Sequence, residues 1–289
     1  MIAKAFAPGH ISGFFEPVFN KEDLMHTGSR GAGLSISLGA LSEVMVKKAQ
    51  VSYIQIFING KRSTAQVTNL ALKNIIGNNS LKIVVKTKLD LPVSQGFGMS
   101  AAGALSSCMA ICKCLDFSVE NALKAAHFAE VQLRTGLGDV VSSYFGGLEI
   151  RKSAGLPPWG FIEHIPGKFE LVLCVIGKKI DTKKILNNPN IVKKISEYGR
   201  ICTQKLLEKP SIENFFYQSQ FFTKKICLAD KKTYQAINTV KNLGTASICM
   251  LGNSIFATGK TEKLCSVLSV FGKVYVCCID EYGARIVEK

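Results

Sequence analysis

The sequence has few of the features that mark membrane, secreted or zinc-binding proteins. No apolar run approaches the roughly 18 residues of a membrane span, and Lys4 and Pro8 interrupt the N-terminal stretch that would have to serve as a signal peptide. The ten cysteines include no Cys-x-x-Cys pair, and no histidine lies near their cluster at 108–114. We therefore expect a cytoplasmic protein without membrane contacts, whose cysteines are reduced and mostly buried.

Acidic residues are also scarce, with 21 Asp and Glu against 36 Lys and Arg and a net charge of +15. Such an excess favours a polyanionic partner when it is concentrated on one face. Here residues 1–150 carry a balance of +4 and residues 151–289 a balance of +11, mostly as scattered lysine pairs with few aromatic residues between them. This distribution favours a solvated basic surface, and a nucleic-acid-binding protein is kept as the alternative from another class.

The overall composition and the order of patterns predict a two-lobed α+β protein. A hydrophobic content of 47% with 20% charged residues is typical of a folded enzyme, and 289 residues are enough for two lobes. Strand patterns dominate the first part, and helical spacing follows at Ser100–Leu115 and Val119–Arg134. Because the regular alternation of a Rossmann sheet is missing, we predict an α+β fold. The loop Ser153–Pro158 predicts a boundary between lobes 1–153 and 154–289.

Turn residues separate several of the predicted elements. Asn59-Gly60, directly after the strand pattern Val51–Ile58, is a strong signal for a hairpin. Asp116 and Ser118 stand where a turn and a helix N-cap would divide the two helical patterns. These signals predict a hairpin in the first lobe and two consecutive helices after it.

The segment Pro92–Leu105 is the most informative part of the sequence. Two glycines, Gly96 and Gly98, precede a helical pattern whose first turn holds only small side chains. Backbone N–H groups and the positive end of a helix can therefore approach a phosphate closely. The lysine of a Walker loop and the third glycine of a dinucleotide fingerprint are both missing. The segment predicts an anion site, with a tightly packed helix N-terminus as the alternative.

Other glycine motifs occur in a fixed order around this segment. They are Pro8-Gly9-His10, Gly28-Ser29-Arg30-Gly31, and Gly136-Leu137-Gly138-Asp139 followed by Gly146-Gly147. With these motifs the chain resembles the GHMP kinase superfamily, most closely its pantoate kinase branch. In the second half the resemblance depends on Gly244-Thr245-Ala246-Ser247 and on Met250-Leu251-Gly252-Asn253-Ser254, where the third glycine motif of the superfamily would fall.

The resemblance implies an N-terminal lobe like the second domain of ribosomal protein S5 and a ferredoxin-like C-terminal lobe, with ATP and substrate between them. It further implies transfer of the γ-phosphate of ATP, with Mg²⁺, to the terminal hydroxyl of pantoate, which gives 4-phosphopantoate in coenzyme A biosynthesis. A homoserine or mevalonate kinase of the same superfamily is the main alternative. The implied partner is a small molecule, not nucleic acid or membrane, and a homodimer is left open.

The resemblance also implies which residues bind ATP and magnesium. The ATP-binding candidates are Pro92, Gly96, Gly98, Met99, Ser100, Ala101 and Ala102. A hydroxyl and a carboxylate suit Mg²⁺, so Ser100 and Glu130 are the predicted metal ligands and count as catalytic. The structural alternatives are a helix N-cap for Ser100 and an ion pair with Arg134 for Glu130.

Asp139 is the predicted base for the attacking hydroxyl, because the superfamily places an aspartate at this position. Its alternative is an N-cap of the following segment. Arg151 is predicted to bind the carboxylate of the substrate, with a surface arginine as its alternative. The remaining predicted substrate contacts are His127, Ser29, Arg30 and His10, and for His127 a buried structural role is the alternative.

Overall fold

The computed structural model describes residues 1–180 and 182–287, which form two sheets with helices packed against them. The strands are β1 (Ile2–Val18), β2 (Gly28–Lys48), β3 (Tyr53–Ile58), β4 (Lys61–Ser63), β5 (Leu81–Leu89), β6 (Leu148–Ser153), β7 (Phe161–Ile165), β8 (Glu170–Val175), β9 (Gly244–Ile248), β10 (Ser254–Gly259), β11 (Lys273–Cys278) and β12 (Arg285–Val287). The helices are α1 (Gln66–Ile76), α2 (Met99–Leu115), α3 (Val119–Gln132), α4 (Asp139–Phe145), α5 (Thr182–Leu186), α6 (Pro189–Glu208), α7 (Ile212–Ile226), α8 (Lys231–Val240) and α9 (Thr261–Ser269).

The first sheet has the strand order β12-β1-β2-β5-β3-β4, and β6 and β7 continue it from β2. Only the pairing of β3 with β5 is parallel. Helix α2 packs on β1 and β2, and α1 and α3 pack beside it. Alternate residues such as Ala5, Ala7, Val44 and Val46 are buried, because successive side chains of a strand point to opposite faces.

The second sheet has the order β11-β8-β10-β9 and is antiparallel throughout. Its strands follow one another along the chain as strand, helices, two strands, helix and strand, which is the ferredoxin-like βαββαβ pattern. The predicted α+β fold with a ferredoxin-like second lobe is therefore confirmed.

Strand β1 connects the two lobes. The pattern at Ile2–Ala7 predicts only its first third, because register shifts at Pro8/Gly9 and Ser12/Phe14 bend the strand without ending it. Beyond the bends, the ring of Phe14 lies 6.2 Å from that of Phe215 and 6.4 Å from that of Phe222, both on α7. This aromatic contact fixes the second lobe against the end of β1.

The turn signals are confirmed, with one shift at a helix end. Asn59 and Gly60 have φ of +48° and +78° and join β3 to β4. The hydroxyl of Ser118 accepts a hydrogen bond from the N–H of Glu120 and caps α3. Helix α3 ends at Gln132, two residues before the predicted end, because Arg134 adopts a φ of +53° that a helix cannot continue.

The ten cysteines are free thiols, and seven of them are buried. Burial raises the pKa of Cys112 to about 11 and that of Cys202 to about 12, so these thiols stay protonated at neutral pH. Among the described residues, no group of three or more His, Cys, Asp or Glu side chains is arranged to hold a metal ion. In the same part of the chain, no helix combines the length and the apolar character of a membrane span.

Candidate active site

A cavity of about 400 Å³ opens between the two lobes. Its walls come from β1, the loop before α2, the α3–α4 turn and the loops that follow β8 and β9. The predicted site residues that line it are Ser29, Gly96, Gly98, Met99, Ser100, Ala101, Glu130 and Asp139. The structure thus brings the glycine loop and the acidic candidates to one cavity, although they are far apart in the sequence.

The glycine loop turns the chain sharply at the start of α2. Ser94, Gly96 and Gly98 have φ of +61°, +79° and +62°, and Gly98 is the N-cap. The first hydrogen bond of the helix runs from the N–H of Ala102 to the carbonyl of Gly98, at 2.9 Å. The three preceding N–H groups have no partner inside the helix. These N–H groups and the positive helix end can attract an anion, so the geometry allows the anion site, which stays a prediction.

The third glycine motif supports this loop from the second lobe. A side chain at Gly252 would collide with the backbone of Gln95, and the hydroxyl of Ser254 donates to the carbonyl of Gln95. The amide of Asn253 donates to the carbonyl of Lys178 at 2.7 Å and is exposed. Within this motif, it is Met250 and Leu251 that line the cavity.

Glu130 is a buried carboxyl in the last turn of α3. Its side chain is 2% exposed, and Oε2 has no hydrogen-bond partner within the described residues. Burial, and then the nearby charge of Asp139, raises the pKa of Glu130 well above its usual value. Arg134 donates to Asn187 at 3.0 Å and not to Glu130, so the ion-pair alternative is wrong. A buried acceptor without a donor suits a cation.

Ser100 lies in the first turn of α2, on the rim of the same cavity. Its side chain is exposed, and the helix is capped at Gly98 without a side-chain hydrogen bond. The N-cap alternative for Ser100 is therefore wrong. The hydroxyl is available for a ligand in the cavity.

Asp139 is the first residue of α4, and its carboxylate is held from one side. Nδ1 of His10 lies 2.7 Å from Asp139 Oδ1, and the Asp139 side chain is 31% exposed. Gly138 is the N-cap of α4, so the N-cap alternative for Asp139 is wrong. A side chain at Gly136 would lie 3.3 Å from Asp139 Oδ2 and would collide with Glu130. The glycine leaves space in front of both carboxyl groups.

Arg151 lies behind the cavity wall and is 2% exposed, so the surface alternative is wrong. Its Nη1 donates to Glu149 and, at 2.9 Å, to the hydroxyl of Ser142, while its Nε has no partner within the described residues. The hydroxyl of Ser12, on the cavity wall, lies 3.5 Å from Nη2. Apart from this contact with Ser12, the Nε and Nη2 edge of the guanidinium has no protein partner within the described residues.

Besides Arg151, five predicted residues lie outside the cavity lining. Pro92 and Ala102 flank the glycine loop without facing the cavity. Nε2 of His127 lies 3.3 Å from the carbonyl of Leu24, and the ring is fully buried. Arg30 donates to the carbonyl of Lys152 at 2.9 Å and to Glu16 at 3.3 Å. His10 is also absent from the lining, although it contacts Asp139 directly.

The structure adds polar residues that were not predicted, three of which bear on the chemistry of the site. Ser12 and Lys179 line the cavity, and Glu149 lies behind it in contact with His10 and Arg151. Ser12 follows Pro8-Gly9-His10 closely, so its place in that motif was a usable signal. Glu149 and Lys179 lie in ordinary strand and loop sequence, where nothing local distinguishes them.

Comparisons with known proteins identify relatives of the chain. The family of GHMP kinase N-terminal domains matches residues 63–147. The pantoate kinase of Methanocaldococcus jannaschii is 34% identical over 281 residues, which cover 95% of this chain and 99% of that protein. The pantoate kinase of Thermococcus kodakarensis is 30% identical over 91% of this chain and 89% of that protein.

Solved structures show the same fold. One, described as a phosphotransferase related to the coenzyme A biosynthesis pathway, has a TM-score of 0.91 at 26% identity and covers 99% of both chains. The homoserine kinase of Cytophaga hutchinsonii has a TM-score of 0.69 at 15% identity, with 99% of this chain and 97% of that chain covered. At that identity the second likeness concerns the fold alone.

Proposed function

The chain belongs to the pantoate kinase family of the GHMP kinases, and we propose that it transfers the γ-phosphate of ATP to the terminal hydroxyl of pantoate, giving 4-phosphopantoate for coenzyme A biosynthesis. Membership of this family makes it a kinase that uses ATP. The observation that carries the proposal is the Asp139 carboxylate, which shares one cavity with the glycine loop at the start of α2.

The glycine loop is proposed to bind the phosphates of ATP. The free N–H groups of Met99, Ser100 and Ala101 and the positive end of α2 favour a bound anion. In phosphoryl transfer the protein acts mainly by positioning the reacting groups and by stabilising charge. A loop fixed by Gly252 and Ser254 of the second lobe meets that need, because the donors are already in place before the nucleotide binds.

The transfer itself needs one base. The hydroxyl oxygen of pantoate attacks the γ-phosphorus, the bond from that phosphorus to the bridging oxygen breaks, and ADP leaves with the bond electrons. Asp139 is proposed to take the proton that the hydroxyl loses. Its Oδ1 is occupied by His10, so Oδ2 is the oxygen that accepts the proton.

Glu130 and Ser100 are proposed to hold Mg²⁺, and the residues fit the ion. A buried carboxylate oxygen without a donor and an exposed hydroxyl on the same cavity are the oxygen ligands that this cation takes. Mg²⁺ commonly uses one or two protein groups together with substrate phosphates, so a larger cluster is not required. When bound, the ion would neutralise the charge on the phosphates.

The carboxylate of pantoate is proposed to bind the free edge of Arg151. Nη1 is taken by Glu149, which leaves Nε and Nη2 as a planar pair of donors. Ser12 contacts this edge, and a side chain at Gly138 would come within 3.0 Å of Nε. Because Gly138 lines the cavity, no side chain at this position stands between the cavity and Nε.

ADP release from purified protein with ATP, Mg²⁺ and pantoate, pantothenate, homoserine or mevalonate tests the proposal. We expect pantoate to be preferred, and Asp139→Asn to lower kcat about 10²- to 10⁴-fold with little change in KM. Asp116→Asn is the matched control. Asp116 is the exposed C-cap of α2 and does not line the cavity, and its φ of +55° is one that asparagine adopts readily. Preference for homoserine or mevalonate would contradict the proposed substrate.

A further inference from the structure

A buried carboxylate that the proposed reaction does not use lies behind the cavity. Glu149 on β6 is fully buried, and its Oε1 faces three donors. These are the Nε2 of His10 at 3.0 Å, the hydroxyl of Ser142 at 3.0 Å and the Nη1 of Arg151. Burying a carboxylate costs free energy unless opposite charges and donors surround it. We therefore ask what these contacts of Glu149 do.

The contacts of His10 fix its charge. Nδ1 lies 2.7 Å from Asp139 Oδ1, and Nε2 lies 3.0 Å from Glu149 Oε1. An ionised carboxylate only accepts hydrogen bonds, so both ring nitrogens must carry a proton for both contacts to be hydrogen bonds. The ring is then an imidazolium between two carboxylates. Because both N–H groups are used, neither is left to bind substrate.

The surroundings of His10 support this charge state. Burial opposes the charged ring, but Glu149 and Asp139 outweigh it and raise the pKa of His10 above its ordinary 6.5. The charged groups that face the ring are Asp139 from α4 and Glu149 and Arg151 from β6, with Nη1 of Arg151 3.4 Å from Nε2. Glu149 therefore balances two cations. Its own pKa is lowered, because His10 and Arg151 together overcome the effect of burial.

Backbone elements are shaped around the ring. A side chain at Gly33 on β2 would collide with the imidazole, and one at Gly98 would lie 3.1 to 3.2 Å from the backbone and Cβ of His10. The N–H of His10 also donates to the carbonyl of Phe97 at 3.0 Å. The ring is thus fixed in place by the strand beside it and by the glycine loop in front of it.

We propose that His10 and Glu149 are positioning residues, which act through Asp139 by holding its Oδ1 with a charged donor and leaving its Oδ2 directed at the cavity. Glu149 supplies the negative charge that keeps His10 protonated. The protonated ring then donates a hydrogen bond from Nδ1 to Oδ1 of Asp139. The inference rests on the proposed role of Asp139 as the base. It differs from the predicted role of His10 as a substrate contact.

Histidine titration by NMR tests the charge directly and needs no activity. The chain has four histidines, so ¹⁵N-labelled imidazoles are resolvable, and His10→Gln identifies the signal of His10. In the wild type the His10 ring should remain an imidazolium well above pH 6.5. In Glu149→Gln its titration should move down by about one pH unit or more, because the charge that holds the proton is gone. The signal of His26, which contacts neither carboxylate, should be unchanged.

Asp139→Asn is a second variant that does not depend on tolerance of a buried substitution, because this side chain is 31% exposed. It should also lower the pH at which His10 titrates. A His10 ring that titrates at or below pH 6.5 in the wild type, or that keeps its titration in both variants, would overturn the proposal.

Kinetics provide the second readout. Glu149→Gln should lower kcat about tenfold or more, a part of the 10²–10⁴ that a positioned base contributes, while the KM for ATP stays within about twofold. Ser143→Ala is the matched control, because Ser143 is a buried α4 hydroxyl without a hydrogen-bond partner in the described part of the chain; its kcat should be near that of the wild type. Unchanged kcat in Glu149→Gln would overturn the proposal. If the wild type phosphorylates none of the acceptors, the proposed function fails, while the NMR titration still decides the charge of His10.

Discussion

Replacing Glu130 by glutamine should lower kcat strongly and at the same time stabilise the ligand-free protein. The carboxyl is buried, one of its oxygens has no hydrogen-bond partner among the residues that the structure describes, and burial followed by the charge of Asp139 raises its pKa well above 4.5. Glutamine has nearly the same shape and keeps an oxygen for the N–H of Val140, but it brings no charge into the interior. The cost that the wild type bears is therefore electrostatic, and the substitution removes it.

The sign of the pH dependence follows from proton binding. A carboxyl whose pKa is higher in the folded protein than in the unfolded protein destabilises the folded state progressively as the pH rises from the unfolded-state pKa to the folded-state pKa. The gain from Glu130→Gln should be small near pH 4.5 and should grow until the pH exceeds the folded pKa. Each pKa unit corresponds to about 1.4 kcal/mol, and about 1 kcal/mol changes Tm by roughly 2–4 °C in a protein of a few hundred residues. We expect a Tm increase of about 3 °C or more at pH 8.

Thermal unfolding without ATP and Mg²⁺ at pH 5 and pH 8, together with kcat at saturating Mg²⁺, measures both effects. Loss of a metal ligand costs several kcal/mol of transition-state stabilisation, which lowers kcat by about two to three orders of magnitude. Ser100→Ala is the matched variant, because it should lose activity without a pH-dependent gain in Tm, since its hydroxyl is exposed and neutral. Near-normal kcat in both variants, or a Glu130→Gln protein equally destabilised at both pH values, would refute the reasoning.

Two further predictions concern the substrate carboxylate. Arg151→Lys keeps the charge but loses the planar pair of donors, so KM for pantoate should rise more than kcat falls. Arg151→Ala should erase the preference for pantoate over pantothenate, which we expect to be roughly 30-fold, the equivalent of about 2 kcal/mol. Unchanged KM and unchanged preference would mean that another group binds the carboxylate. Gly138→Ala places a methyl group 2.5 Å from the hydroxyl of Ser29 and 3.0 Å from Arg151 Nε, both predicted substrate contacts, so KM for pantoate should rise several-fold in steady-state assays while KM for ATP stays constant. Gly103→Ala, whose added Cβ meets only atoms at 3.8 Å or more, is its control, and an equal effect of both would contradict the assignment.

Local patterns in the sequence predicted the elements that local interactions decide. The helices α2 and α3, the cap at Ser118 and the hairpin at Asn59-Gly60 follow from spacing and turn chemistry within a few residues. Where a strand continues through a β-bulge, the same patterns predict that the strand ends too early. The bends of β1 at Pro8/Gly9 and Ser12/Phe14 resemble strand ends in the sequence, and only pairing with β2 shows that the strand continues.

The candidate site could be predicted only in part, and its residues came from two kinds of signal. Composition and spacing indicated an anion site at Gly96 and Gly98, whereas the roles of Ser100, Glu130 and Asp139 came from the resemblance to a family. Glu149 could not have been found in either way. It lies 139 residues from His10 in the chain, and its significance depends on the antiparallel pairing that places Glu149 opposite Gly33, whose missing side chain admits the His10 ring.

The two buried carboxyl groups of the site are shifted in opposite directions, and this difference separates their roles. The Oε1 of Glu149 is surrounded by His10, Arg151 and Ser142, so the pKa of Glu149 is lowered and two cations inside the protein balance its charge, although its Oε2 has no hydrogen-bond partner among the described residues. Burial, and then the charge of Asp139, raises the pKa of Glu130, so an ionised Glu130 is costly in the ligand-free protein. Environments that push the pKa values of paired acids apart identify their functions. This difference supports the proposed roles. Glu149, which stays ionised, would hold Asp139 in place through His10. Glu130, whose ionised form is costly, is the group that would gain most from a bound metal ion.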